Sequence, residues 1–352
     1  MQRDKTYHEQ RNESNIKRLR ELLNELPPLC SEYFRGIDHS TSVLTRLNYA
    51  YDLRIFFEFL TTETAHFKGI KVSDFSLEDI RRIKVTHIEM FLSHLTLYSR
   101  PDNPEIEHKN KGSGKYRKLS AVRSFFNYLF KKGYINGNVA DLVETPKIEE
   151  LPIVRLEADE VANVIDIIES GEGLTESQKK YHEITKTRDI AIFSLFLGTG
   201  IRISELVGLN ISDLDFDING FKVTRKGGNQ VILYFGDEVR EALLNYLEER
   251  KTIQPLPGSE DALFLSIQRR RISTHAVQKL VKKYTKLVAP LKEISPHKLR
   301  STYGTNLYRE TGDIYLVAEV LGHKDVNTTK KHYAAISDEQ RRAASRVIKL
   351  RK

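Results

Sequence analysis

Four stretches of the chain hold ionisable side chains whose types and spacing suit chemistry on a phosphate. In LGTGIRISELVGLN, Arg202 and Glu205 stand three residues apart, directly after a glycine turn. An arginine offers a planar fork of donors that matches two phosphate or carboxylate oxygens. The plainer reading is a surface i,i+3 ion pair, worth about a few tenths of a kcal/mol. In SPHKLRSTY, Pro296 suits a first helical turn, and His297 and Arg300 then share a face. Such a pair binds a phosphate oxygen and hydrogen-bonds to it as charge develops, or it is a chance pair on a solvated helix. In VLGHKDVNTTKKHY, Gly322 and His323 end a helix or open a turn, and Tyr333 follows among Lys330, Lys331 and His332. A phenol has a pKa of about 10, so it needs cationic neighbours to act as a nucleophile near neutral pH. Otherwise its ring packs on a helix. Lys226, in TRKGGN, sits at a hairpin tip, from which an ammonium either reaches a leaving group or faces water.

Two sets of elements must position these groups. Apolar residues recur at helical spacing over 16–26 until Pro27 and Pro28, then over 42–60, 86–98 and 115–130, the last closing at Gly133. These predict an all-helical first domain. The segment TPKIEELPIVR breaks the helical period, carries two prolines and reads as a linker. Beyond it, helices are expected over 158–170, 189–197, 237–250 and 274–288. Two β-rich runs, GFKVT and VILYF, flank Gly227-Gly228 as a hairpin.

Bulk properties narrow the class. The 352 residues are long for one core, which predicts two domains. No run approaches the roughly 20 apolar residues of a membrane helix, and the polar start MQRDKTYHEQRNESN does not resemble a secretory signal. Cytoplasm and no membrane partner are the expectations. With Cys30 as its single cysteine, the chain forms no internal disulfide and no cysteine-rich metal cluster. Its net charge of +8 favours a polyanionic partner.

Taken in order, Arg202, Lys226, His297 with Arg300, His323 and Tyr333, set in LGTGIRISEL, TRKGGN, SPHKLR, LGH and TTKKHY, resemble the catalytic domain of the tyrosine recombinase (phage integrase) family, in its Xer-like bacterial branch. That likeness covers about 157–345. TSVLTRLNYAYDLRIFFEFL and KLSAVRSFFNYLFKKGYINGNVADLVETPK resemble the family's helical core-binding domain. The resemblance implies a mainly α chain with a small β-sheet in its second domain: a SAM-like core-binding domain followed by a mixed α+β catalytic domain. The expected division is an N-terminal extension over 1–25, the core-binding domain over 26–144, a linker over 145–156, the catalytic domain over 157–336 and a tail helix over 337–352 that passes between subunits.

Roles are also implied by the resemblance. Tyr333 attacks a backbone phosphate, leaving a 3′-phosphotyrosine and a 5′-hydroxyl. Arg202 and Arg300 clamp the non-bridging oxygens, Lys226 protonates the departing oxygen, His297 handles the tyrosine proton, and His323 donates to the phosphate. Glu205 positions the arginine site. Lys222 is the alternative lysine should the hairpin shift, and Ser301 stands where many relatives have histidine. No cofactor and no metal are expected, and the sequence carries no HExxH and no Walker-type loop. The partners implied are double-stranded DNA target sites and a tetramer, of this chain alone or with a related recombinase. Lys115, Arg117, Lys118 and Arg123 are candidates for DNA contact, mostly to phosphate; the alternative is a solvated helix face. Chromosome dimer resolution, mobile-element integration or excision, and DNA inversion all fit this chemistry. Rival readings are a type IB topoisomerase-like enzyme and a catalytically silent DNA-binding accessory protein.

Overall fold

The computed structural model describes residues 7–149, 153–225, 228–323 and 325–326. The chain divides into two compact units, Met1–Leu151 and Pro152–Lys352. Among the described residues no helix is long and apolar enough to cross a membrane.

The first unit is built on aromatic packing. Helices α1 (Tyr7–Leu23), α2 (Pro28–Gly36) and α3 (Val43–Glu63) are followed by the short α4 (Leu77–Arg81) and by α5 (Val85–His94). Strands β1 (Tyr98–Arg100) and β2 (Asn103–His108) then lead to α6 (Gly112–Lys131). Phe56, Phe57, Phe91, Phe125 and Phe126 are buried at the centre. Phe56 meets Phe91 edge-on with ring centroids 5.1 Å apart. Each such ring contributes roughly 1.5–3 kcal/mol by leaving water.

Local chemistry sets the ends of these helices. Ser42 caps α3 by accepting from the Thr45 backbone N–H. At the end of α6, Gly133 takes φ +72°. The Tyr134 and Gly133 N–H groups donate to the carbonyls of Leu129 and Phe130, which closes a Schellman motif. Pro28, which ends the first apolar run, is itself the first residue of α2, where its missing N–H costs nothing.

The expectation of an all-helical first unit is corrected by β1 and β2, which pair antiparallel from Tyr98↔His108. Tyr98 continues the apolar spacing of α5, but α5 stops at His94. Pro101 and Pro104 just beyond cannot extend a helix.

In the second unit, α7 (Ala158–Ser170) packs on the long α8 (Glu176–Thr199). A single turn, α9 (Ile203–Leu206), precedes a three-stranded antiparallel sheet of β3 (Leu214–Asp215), β4 (Gly220–Thr224) and β5 (Gln230–Tyr234), in that order. The unit continues with α10 (Asp237–Thr252), α11 (Thr274–Val288), α12 (Pro296–Thr311) and α13 (Ile314–Leu321). β4 and β5 pair from Gly220↔Tyr234 to Thr224↔Gln230. Phe221 and Val223 are buried and Lys222 between them is exposed, the two-residue alternation of a half-covered strand. The observed α8 begins thirteen residues before the expected 189, because its first turns are polar and show no apolar stripe.

Candidate active site

Three elements of the second unit meet at the C-terminal end of α13. The first is the turn that ends α8. Gly200 holds φ +61° there, and a Cβ added to it would stand 2.5 Å from the Tyr303 ring and 2.9 Å from Leu321. Only glycine accepts both that backbone and that closeness. The turn delivers Arg202 to the start of α9, where its backbone N–H donates to Glu205 Oε2 at 3.1 Å. The Arg202 side chain donates from Nη1 to Glu205 Oε1 at 2.9 Å. Nη2 of the same arginine reaches the carbonyls of Leu321 at 3.2 Å and Gly322 at 3.1 Å. Glu205 is buried. The pair is therefore not the solvated i,i+3 bridge that the spacing alone permits.

The second element is α12. Its N-cap is Ser295, Pro296 is its first residue and Arg300 lies one turn in. Arg300 is buried, 4% exposed. Its Nη1 donates to the Gly200 carbonyl and its Nη2 to the Leu321 carbonyl. His297 stands at the exposed start of the same helix, and its backbone carbonyl accepts from the Ser301 hydroxyl at 3.1 Å.

The third is α13 itself. Asp313 caps its start through the N–H groups of Tyr315 and Leu316. At its other end Gly322 takes φ +61°. The Gly322 and His323 N–H groups donate to the carbonyls of Glu319 and Ala318, both at 2.9 Å. A helix leaves its last four carbonyls without intrahelical partners. Here the turn satisfies two of the terminal carbonyls, and arginines take the ones that follow. Val320 accepts from Arg225 at 2.9 Å, Leu321 from Arg202 and Arg300, and Gly322 from Arg202. The negative end of the helix dipole thus holds three guanidinium groups together, with Glu205 as the adjacent carboxylate.

Arg225 was not among the residues singled out in the sequence. It leaves the end of β4, and burial lowers its pKa, with Arg202 nearby acting in the same direction and Glu205 opposing. Its only sequence signal is its place just before Lys226. Lys226, Tyr333 and the tail 337–352 lie outside the described residues. The alternative lysine, Lys222, is on the exposed face of β4 and lines a groove with Asp213, Asp215 and Asp217.

In the first unit the four basic candidates separate. Lys118 is buried, 5% exposed, and its Nζ donates to Asn110 Oδ1 at 3.0 Å. Arg123 spends its guanidinium on the Ala140 and Val143 carbonyls and the Thr145 hydroxyl. In this DNA-free structure both side chains are bonded within the unit's own interior and loop. Lys115 donates to Thr96 Oγ1 at 2.8 Å. Arg117 keeps a side chain 49% exposed while its Nη1 pairs with Asp52 Oδ2 at 2.5 Å. Asp52, on α3, was also missed. It is fully buried, and burial pushes its pKa up to about 6 against the pull of Arg117 and Lys118.

Comparison with known proteins adds the following. The model of the phage integrase family matches residues 155–340. The tyrosine recombinase XerC of Caldanaerobacter subterraneus subsp. tengcongensis is 33% identical over 332 residues, covering 90% of this chain and 86% of that one. The tyrosine recombinase XerS of Lactococcus lactis subsp. cremoris is 28% identical over 360 residues, covering 94% and 98%. Among solved structures, the XerH site-specific recombinase bound to its palindromic difH substrate shares the fold with a TM-score of 0.64 at 20% identity, over 86% of this chain and 80% of that one. The Tn1549 transposon integrase in complex with circular intermediate DNA does so with a TM-score of 0.62 at 19% identity, over 90% and 98%.

Proposed function

Because the chain belongs to the phage integrase family, we propose that Tyr333 is the nucleophile of its DNA strand exchange and that Arg202 and Arg300 hold the phosphate it attacks. The protein is a tyrosine site-specific recombinase of the Xer-like branch, which cleaves and rejoins DNA strands. It binds double-stranded DNA sites. The Tyr333 oxygen bonds to phosphorus as the bond to the 5′-oxygen breaks, leaving a 3′-phosphotyrosine. Lys226 gives the leaving oxygen its proton, and His297 takes the phenolic one. The two arginine forks and His323 donate to the non-bridging oxygens, where negative charge gathers. Glu205 orients Arg202. The phosphotyrosine conserves the energy of the broken phosphodiester, so a second strand's 5′-hydroxyl can reverse the step.

The observation that supports this most is the sharing of the Leu321 carbonyl by Arg202 and Arg300. It brings two forks from distant stretches to one point beside His323. We further propose that 26–144 is the core-binding domain and 157–336 the catalytic one. In this reading the protein acts in the cytoplasm as a tetramer, of itself or with a related recombinase, with the tail 337–352 passed between subunits.

The test is covalent capture. DNA trapped on the wild-type chain in its host is sequenced to give the site, and a nicked suicide substrate is built from it. The wild type should form a covalent adduct and Tyr333→Phe none. No adduct with the wild type would remove the reading. Robust relaxation of a supercoiled plasmid lacking that site would shift it towards a topoisomerase.

A further inference from the structure

Arg225 joins the hairpin to α13 by both its main chain and its side chain. Its backbone N–H donates to the Asn229 carbonyl at 2.8 Å, and its own carbonyl accepts from the Gly228 N–H at 3.0 Å. These bonds tie the end of β4 to the start of the returning chain, and Lys226 is the next residue in the sequence. Its side chain leaves the strand and donates from Nη2 to the Val320 carbonyl at 2.9 Å. The guanidinium lies close against the turn after α13. A Cβ added to Gly322 would stand 1.8 Å from Nη1 and 2.3 Å from Cζ. Gly322 therefore leaves the room that Arg225 occupies.

The arrangement is a poor one for stability alone. The Arg225 Nε is buried with no hydrogen-bond partner among the described residues, and a buried unsatisfied donor costs free energy. Burial disfavours its charge most; Glu205 favours the charge and Arg202, another cation, opposes it. What the guanidinium secures is a charge-assisted bond to the negative end of a helix dipole, and so a fixed link between the hairpin and the turn that carries His323.

We propose that Arg225 is a positioning residue for the general acid: it latches the turn end of the β4–β5 hairpin to the end of α13 and so holds Lys226 at the leaving oxygen. The inference rests on the reading of Lys226 as the acid. In the step concerned, the Tyr333 oxygen bonds to phosphorus, the bond to the 5′-oxygen breaks, and that oxygen takes a proton from the Lys226 ammonium. A substrate whose 5′-bridging oxygen is replaced by sulfur expels a thiolate that needs no proton. It therefore separates loss of the acid from loss of the phosphate clamp.

The experiment compares full-length wild type, Arg225→Ala, Arg225→Gln, Lys226→Ala and Arg202→Ala on suicide substrates with oxygen or sulfur at the bridge. Single-turnover adduct formation is the readout. Loss of a charge-assisted hydrogen bond corresponds to roughly a tenfold to hundredfold effect. Both Arg225 variants should be slower by about that factor on the oxygen substrate and return to near wild-type rate on sulfur, as Lys226→Ala should, whereas Arg202→Ala should stay slow on both. The oxygen-to-sulfur ratio is taken within one protein, so a partly unfolded fraction cancels. Arg225 variants slow on both substrates would make Arg225 a phosphate ligand or scaffold residue and overturn the proposal. Wild-type rates on oxygen would overturn it too. If Lys226→Ala itself is not rescued by sulfur, the acid assignment fails first and the latch role falls with it, an outcome read on Lys226 alone.

Discussion

Arg202 and Arg300 donate to the same oxygen, the carbonyl of Leu321. One arrives from the turn after α8 and the other from the second turn of α12, so a shared acceptor fixes the separation of their forks. Glu205 and the Gly200 carbonyl take one further nitrogen each. This geometry needs the planar fork and not merely a positive charge. Arg202→Lys and Arg300→Lys should therefore each slow adduct formation on the order of a hundredfold or more, while gel-shift affinity for the same site changes far less. Equal losses in affinity and in rate would show that these residues serve ground-state binding only.

Two glycines offer a matched comparison. Gly322 and Gly312 end α13 and α12 with φ +61° and +65°. A Cβ on Gly312 meets nothing within 4 Å among the described residues, whereas one on Gly322 enters the Arg225 guanidinium. Both alanine variants carry the left-handed penalty of roughly 1–2 kcal/mol. Gly312→Ala should then lose a few degrees of thermal stability and keep its adduct rate. Gly322→Ala should lose rate as well, because Arg225 must move. Equal adduct rates in the two variants would show that the Arg225 contact with Gly322 carries no part of the site's geometry.

The legible elements are those with one apolar stripe and local caps. α7 and α11 run over the residues their periodicity marks, and Ser273 caps α11 through the Ala276 N–H. The first turns of α8 are hidden by their polarity and announced only by the capping box of Thr175 and Gln178. β1 is hidden because Leu95 and Tyr98 prolong the spacing of α5. At the site, residue types and order are visible through family resemblance. The acceptor that gathers the arginines is not, since a backbone carbonyl has no signature in sequence. Charge pattern also says nothing of direction, which is why Lys118 and Arg123 read as part of an outward basic face although one is buried and the other is spent on carbonyls.

Asp52 should impose a measurable pH dependence. Burial raises its pKa to about 6, with Arg117 and Lys118 pulling it down. The folded chain thus binds this proton more tightly than the unfolded chain, where an aspartate titrates at about 3.9. Between those values the folded state holds more protons, so this group's contribution to stability falls as pH rises through that window and levels off above about 6. Asp52→Asn removes the titration. Its unfolding free energy, relative to wild type, should improve by roughly 2 kcal/mol from about pH 4.5 to about pH 7.5. Any constant cost of losing the Arg117 pair leaves that difference unchanged. Urea unfolding at the two pH values measures it, and a flat difference would show that Asp52 titrates normally.

Arg117 and Arg123 should part company when salt is varied. Arg117 pairs with Asp52 through one nitrogen, yet half of its side chain faces solvent, which leaves donors for a phosphate. Each phosphate contact contributes about 0.9 to the slope of log K against log salt. Arg117→Ala should reduce that slope by about this amount and weaken binding alike on cognate and unrelated duplexes. Arg123 instead ties α6 to the segment after it through Ala140, Val143 and Thr145. Arg123→Ala should leave the slope in place and lower the unfolding free energy by roughly 1.5–3 kcal/mol, the range for hydrogen bonds to a charged group. Should Arg123→Ala flatten the salt dependence with stability intact, the guanidinium would have to leave its three acceptors to meet DNA, and its assignment as an internal tie would be wrong.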